Sequence, residues 1–306
     1  MSVITSDIGR AVDVLRSGGL VAVPTETVYG LAADASNPAA VERIFAVKGR
    51  PRGHPLIVHL ADTDDLDTWS TDPAPIARRL AALAWPGPLT LIVPRSPLVP
   101  DVVTGGRDTV GLRVPSHPVM RMLLEQSGLG LAAPSANRFG SVSPTTAQHV
   151  ESDLGDHLDP NRDLILDGGP ASIGIESTIV DTTTPEPQLL RAGPLTEAEI
   201  GALAAPSGPS RASGMLASHY APRCQVRLVD HADDAMALRA GTPGARVLDL
   251  TDDLVAYARQ LYSELRAADD DGVRTLIAVL PAPVGLGIAI RDRLGKAAAV
   301  RPQDQS

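Results

Sequence analysis

The sequence predicts an α/β protein in two units, with an open mixed sheet in the larger and a parallel sheet in the smaller. Three observations carry this. Over residues 1–200, short apolar runs interleave with helical periodicity, yet several runs follow one another with only turns between them, which a strictly doubly wound sheet does not do. The stretch "GALAAPSGPSRASGMLASHYAP" is rich in Gly, Ala, Ser and Pro and holds no strand signal. Beyond it, strands and helices alternate, the pattern of a small Rossmann-like domain. The boundaries follow: a first domain at 1–202, a linker at 203–222 and a C-terminal domain at 223–306, in line with a prior of roughly 150 residues per domain.

The elements read off in order. "MSVITSDIGRAVDVL" has the period of a short amphipathic helix. "GGLVAVPTETVYGLAADA" reads as strand, loop, then strand or loop. "NPAAVERIFAVKG" is a helix with Asn37 as its N-cap and Pro38 at its first position. "HPLIVHL" is a buried strand, and "PAPIARRLAALAWPG" is a helix ended by Pro-Gly. "LTLIVPR" and "TVGLRVPS" are strands. "HPVMRMLLEQSG" is a helix with Gly128 past its end. "GLAAPSANRFG" is a strand running into a loop, and "DLILDGG", "ESTIVDTT" and "QLLRAG" are short strands. In the second unit "CQVRLVD", "ARVLDL" and "TLIAVLP" are strands, and "LVAYARQLYSELRAADDDG" and "GIAIRDRLGKAAA" are helices. The tail "VRPQDQS" reads as frayed.

Composition narrows the function. A net charge of −9 argues against a general nucleic-acid coat, though not against a local basic groove. With one cysteine, Cys224, no disulfide or Cys-based zinc site can form within a chain, which fits a reducing, cytoplasmic setting. The N-terminus lacks signal-peptide regions, and no run approaches a membrane span of roughly 18 apolar residues. There is no P-loop and no HExxH. "GLGIAI" lacks the third Gly of a dinucleotide fingerprint and reads as a tight turn into the last helix.

Three polar stretches stand out. "VKGRPRGHPLIVHL" places Lys48, Arg50 and Arg52 on a turn that enters an apolar strand, where backbone and side chains can converge on an anion. Taken alone, a charged turn is a solvated loop. "VPTETVYG" sets hydroxyls and one carboxylate at a strand end, the usual edge of a ligand cleft in an α/β sheet, or simply a capped turn. "APSANRFGSVSPTTAQHV" brings Ser135, Asn137 and Ser143 close together without the nucleophile elbow that would make Ser135 a covalent catalyst. "GIESTIVD" and "LLRAGP" add Ser177, Thr178 and Arg191. Together these stretches describe a site that clamps a polyphosphate and a polar small molecule by positioning and charge neutralisation.

In order, "PTETVYGLAADA", "KGRPRGHPLIVHL", "WPGPLTLIV", "VGLRVPSHP", "APSANRFGSVSPT", "ESTIVD" and "LLRAG" resemble the YrdC-like domain over most of residues 5–200. "HYAP" and the domain behind it resemble the long, two-domain threonylcarbamoyl-AMP synthases. The resemblance implies an open, twisted sheet with a positively charged concave face. It also implies an enzyme that joins L-threonine, bicarbonate and ATP into threonylcarbamoyl-adenylate and pyrophosphate, with Mg²⁺ carried by the phosphates. A partner complex, a tRNA threonylcarbamoyltransferase, would then modify tRNA, with direct tRNA contact a further implication. Thr27, His59, Arg113, Ala133 and Ser177 match threonine positions. Lys48, Arg50, His54, Thr109, Ser135, Asn137, Ser143 and Arg191 match the ATP side, with Lys48 and Arg50 as the catalytic cations. Tyr220 would fold back over the nucleotide.

Two departures from the family pattern are visible. Met215 to Ser218 stand where many members carry basic residues, and His54 stands where many have Asn. Two other readings remain: an RNA-binding or ribosome-assembly module using the same basic face, and carbamoyl transfer in metalloenzyme maturation. The first would not need Thr27, His59 or Ser177, and the chain's scarce aromatics offer few stacking platforms. The second lacks zinc-finger and acylphosphatase-like segments.

Overall fold

A computed structural model describes residues 4–201, 203–206 and 220–299. The larger unit is a ten-stranded sheet. Its strands are β1 (Ile4–Thr5), β2 (Val21–Val23), β3 (Gly30–Asp34), β4 (Ile57–His59), β5 (Leu89–Pro94), β6 (Thr109–Arg113), β7 (Leu131–Ala132), β8 (Leu164–Leu166), β9 (Thr178–Asp181) and β10 (Gln188–Arg191). Their spatial order is β1-β8-β2-β3-β7-β4-β6-β5-β9-β10, with parallel pairs such as β4·β6 and β5·β9 beside antiparallel ones such as β2·β3 and β5·β6. The sheet is mixed, as the closely spaced apolar runs predict.

Both faces of the sheet are covered, and alternation along each strand sorts the residues. Ala22, Leu31 and Ala33 face a core built with Val41, Ile44 and Phe45 of the helix Pro38–Lys48 and Leu80 of Pro75–Ala84. Val21, Val23 and Ala32 face the other side, against Leu15 of the helix Ile8–Arg16 and Leu123 and Leu124 of Pro118–Ser127.

Register assembles the site before any side chain is considered. In the parallel pair β4·β6, His59 stands opposite Arg113. Gly30 bridges Ser135, and Val23 pairs with Gly30, so the loop 24–29 closes over the place where these strand ends meet.

The smaller unit holds β11 (Gln225–Val229), β12 (Arg246–Leu248) and β13 (Thr275–Val279) in the parallel order β11-β13-β12. Its helices are Ala232–Ala240, Leu254–Asp270 and Leu286–Ala298. The first of these has no clear apolar stripe and only Ala235 buried, so periodicity does not reveal it. The strand β1 is likewise invisible to periodicity, being two residues long. The small unit does not stand apart. Tyr257, Leu261 and Tyr262 share a core with Val28, Val142 and Ile175 of the larger one. Gly174 permits this: its φ is +88°, and a Cβ there would lie 2.5 Å from the Ala258 carbonyl oxygen. The linker residues 207–219, including Met215 to Ser218 and His219, lie outside the described residues, as does the tail from 300.

Candidate active site

The loop 24–29 folds on its own hydroxyls. Thr25 Oγ1 donates to the Val28 carbonyl at 2.6 Å, so in its 2.8 Å contact with Thr27 the Thr27 hydroxyl is the donor. Thr27 Oγ1 in turn accepts from Arg113 Nη1 at 3.0 Å. Arg113 Nε donates to the Gly87 carbonyl, and its Nη2 stands 2.7 Å from Glu26 Oε1. Glu26 Oε2 accepts from the Ser116 amide. Burial alone would raise the Glu26 carboxyl, but the Arg113 guanidinium overrides it and holds the group below its ordinary value. Arg113 is therefore a buried fork fixed in position before any ligand arrives. Beside it, burial pulls His59 down to about 3, with the Arg113 charge adding to the effect, so its imidazole is neutral at physiological pH.

The basic cluster resolves into three fates. Lys48 is the last residue of the helix Pro38–Lys48 rather than part of a turn, because Gly49 in the left-handed conformation caps that helix. Its ammonium is buried and donates to the carbonyls of Ser135 and Asn137, holding that loop. Burial pushes its pKa well down, with Arg50 next in effect. Arg50 is 7% exposed, lines the pocket and donates to the Pro55 carbonyl. Arg52 is solvated and pairs with Glu42.

Across the pocket, Arg191 donates to the Ser177 carbonyl and hydroxyl, both at 3.0 Å, and Ser177 shares a 2.8 Å hydrogen bond with Thr90. Burial lowers Arg50 to about 10; the Tyr220 phenol opposes this and the Arg191 charge adds to it. Two buried guanidiniums that raise each other's cost make a place for an anion.

The pocket has about 570 Å³ of empty space, including its mouth. Its walls include Thr27, Arg50, His59, Arg113, Ala133, Ser135, Ser177, Arg191 and Tyr220, so nine of the fourteen residues singled out from the sequence, the lid residue among them, meet there. The remaining five of that set of fourteen lie behind or outside these walls. Lys48 acts from behind, as above. Asn137 Nδ2 donates to the Arg138 and Ser141 carbonyls. Ser143 donates its proton to Glu176 at 2.7 Å. His54 meets Phe139 in a T-shaped contact, and the Phe139 ring also lies under Arg50. Thr109 begins β6, four residues or about 13 Å along the strand from Arg113.

Glu26, Glu176, Tyr262 and Arg293 are functional neighbours that sequence reasoning missed. Glu176 accepts from Ser143, from Tyr262 Oη at 2.8 Å and from Arg293 Nε at 2.9 Å. Burial would raise its carboxyl, but Arg293, Arg191 and these hydrogen bonds hold it at about 2. One signal was available: Arg293 sits at a core position of its helix, among Ala289, Ile290, Leu294 and Ala297. A cation on an apolar stripe requires a buried partner.

Among the described residues the pocket offers no protein cage for a divalent cation. Glu176 on its wall and Glu26 behind it are committed to Arg293 and Arg113, and no group of three His, Cys, Asp or Glu gathers among the described residues. No described helix is long and apolar enough to cross a membrane.

A pocket of fixed arginines and hydroxyls at the strand ends of a mixed sheet defines an enzyme domain for small anionic substrates. Residues 13–193 match the Sua5/YciO/YrdC family, described as "Telomere recombination", and residues 187–299 match the threonylcarbamoyl-AMP synthase C-terminal domain. The chain belongs to the threonylcarbamoyl-AMP synthase family. It is 41% identical to the threonylcarbamoyl-AMP synthase of Pyrococcus abyssi over 94% of this chain and 92% of that one. It is 38% identical to the Bacillus subtilis enzyme of the same name, over 96% and 93%. The solved structure of P. abyssi Sua5 complexed with L-threonine superposes with a TM-score of 0.87 at 39% identity, covering 95% of this chain and 94% of that one.

Proposed function

We propose that this protein is an L-threonylcarbamoyladenylate synthase, which condenses L-threonine, bicarbonate and ATP to threonylcarbamoyl-AMP and pyrophosphate. The observation that carries the reading is the division of the pocket. Arg113, preset by Glu26 and Thr27, offers a fork for an amino-acid carboxylate, and Arg50 and Arg191 converge from other elements on the space beside it. Threonine would lie between Arg113, Thr27 and Ser177, with neutral His59 and Ala133 shaping its side. The triphosphate would lie against Arg50 and Arg191, with Ser135 on the same wall and Lys48 fixing the loop that carries it. His54, Thr109, Asn137 and Ser143 complete the nucleotide side in this reading. Because the Ser143 proton is held by Glu176, Ser143 would meet the nucleotide as an acceptor.

The threonine amine and bicarbonate form a carbamate with loss of water. A carbamate oxygen then attacks the α-phosphorus, the bond to the β-phosphate oxygen breaks and pyrophosphate leaves. The residues contribute position, dryness and positive charge. Mg²⁺ would arrive on the phosphates as part of the substrate. The product would pass to a tRNA threonylcarbamoyltransferase in the cytoplasm. The domain division at 1–202, 203–222 and 223–306 is part of the same proposal, with Tyr220 as the linker's contribution to the pocket.

The test is pyrophosphate release from ATP. Release that requires both L-threonine and bicarbonate is expected. Release independent of either, or none at all from a protein that binds ATP, overturns the reading.

A further inference from the structure

Arg293 belongs to the last helix of the C-terminal unit and does not itself line the pocket, yet it is fully buried and spans the two units. Its Nε donates to Glu176, the residue just before Ser177 and β9. Its Nη1 donates at 2.8 Å to the carbonyl of Ala192, the residue just after Arg191 and β10. The one guanidinium thus holds the two chain segments that present Ser177 and Arg191. Its plane also lies under the Tyr220 ring, 5.7 Å from the centroid, while Tyr262 flanks that ring at 5.5 Å. Tyr220 has a φ of +61°, a conformation that costs a non-glycine residue energy and persists only where its surroundings enforce it.

We infer that Arg293 is a positioning residue for the pocket, and that the C-terminal unit supports catalysis by seating Tyr220 and fixing the strand ends that carry Ser177 and Arg191. This rests on the synthase reading for its activity assay, though not for its binding assay. The geometry makes docking and pocket assembly one event. Without Arg293, Glu176 keeps its Ser143 and Tyr262 donors but faces a buried charge deficit, and the floor under Tyr220 is gone. The neighbouring contacts cannot replace it. Arg266 pairs with Asp153 and the Val142 carbonyl, and Thr145 meets Ser263, so these join the units away from Tyr220.

The experiment is a double-mutant cycle on the full chain with Arg293→Met, Tyr220→Ala and the pair, reading ATP affinity by calorimetry and kcat/KM by pyrophosphate release. If Arg293 acts through Tyr220, each single change weakens both quantities about ten- to a hundredfold and the pair is little worse than Tyr220→Ala. Losses that multiply, or an Arg293→Met protein equal to wild type, overturn the inference. Should Arg293→Met fail to fold, Arg293→Lys is read instead. It keeps the charge opposite Glu176 but loses the fork and the plane under Tyr220, so its melting temperature should hold while ATP affinity falls; unchanged affinity overturns the inference. A wild type that binds ATP but releases no pyrophosphate sinks the synthase reading alone, and the affinity cycle still decides the role of Arg293.

Discussion

The wall around Arg113 and the wall around Arg191 use the same device, an arginine beside a buried carboxylate, but they are built differently. Arg113, Glu26, Thr27 and Gly87 all belong to the large sheet and its loops, so that wall is complete within one unit. On the other wall, Glu176 draws its cation from Arg293, 117 residues further along the chain and in the other unit. One wall is preset by the fold of the sheet. The other depends on docking. In the proposed function this sets a rigid seat for the amino acid against a nucleotide side that is completed only when the C-terminal unit is in place.

The sharpest way to break the comparison is to remove the cation from the preset wall. Arg113→Gln leaves Glu26 buried without its counter-charge, and loss of one member of such a pair costs about 3–5 kcal/mol. Urea unfolding should show this, and Arg113→Gln combined with Glu26→Gln should recover most of it while threonine-dependent turnover stays lost. A double variant as unstable as the single one would show that the pair is not the source of the stability.

Next in size is Arg50→Ala. Arg50 lines the pocket from a loop and donates to the nearby Pro55 carbonyl, so the fold should survive. Losing a buried cation that faces developing phosphate charge costs about a hundredfold or more in kcat. A melting temperature near wild type with at least that loss in pyrophosphate release is expected, and full activity would remove Arg50 from the phosphate site.

How much of this was legible follows the same division. The fold class was readable because closely spaced apolar runs can only be a mixed sheet, and the strand-end residues Thr27, His59, Arg113 and Ser177 were readable because register brings such ends together. Glu26 stood in plain sight within "PTETVYG", but a carboxylate beside an anion-binding pocket makes sense only once Arg113 is seen to need a partner. Lys48 ends the helix Pro38–Lys48, with Gly49 as its left-handed cap, so of the three cations expected on one turn only Arg50 and Arg52 lie beyond the helix. Arg293 and Tyr262 were not readable as site residues, since their partner is remote in sequence and their helices look like ordinary amphipathic elements. Contacts made by docking carry no local signal beyond a charge at a core position.

Acid should separate the walls by pH. His59 falls from 6.5 to about 3 in the folded state, through burial first and then the Arg113 charge. Its neutral form therefore contributes stability that is complete above about pH 6.5 and is lost as pH falls toward 3, on the order of 2 kcal/mol by pH 5. Glu176, lowered from 4.5 to about 2, contributes stability present above about pH 4.5 and lost as pH falls toward 2. Urea midpoints should thus decline in two stages; half-buried His149, lowered to about 4, and His117, also lowered by burial, share the first, so His59→Gln should make the first stage shallower without abolishing it and should leave the second. A single decline below pH 4.5 in the wild type would show that His59 is not held neutral.

The smallest effect tests the tie between the walls. Thr90 is fully buried on β5, in the preset part of the sheet, and its hydroxyl meets Ser177, which Arg191 holds from the other side. Thr90→Val keeps the shape and removes one hydrogen bond, so stability should fall by only about 1 kcal/mol. Ser177 keeps its bonds from Arg191, and if the docked unit fixes that strand end, the KM for threonine should rise only two- to fivefold with kcat unchanged. A large loss of kcat would mean that Ser177 is positioned mainly through the sheet, which would move the second wall into the same class as the first and leave the C-terminal unit acting on Tyr220 alone.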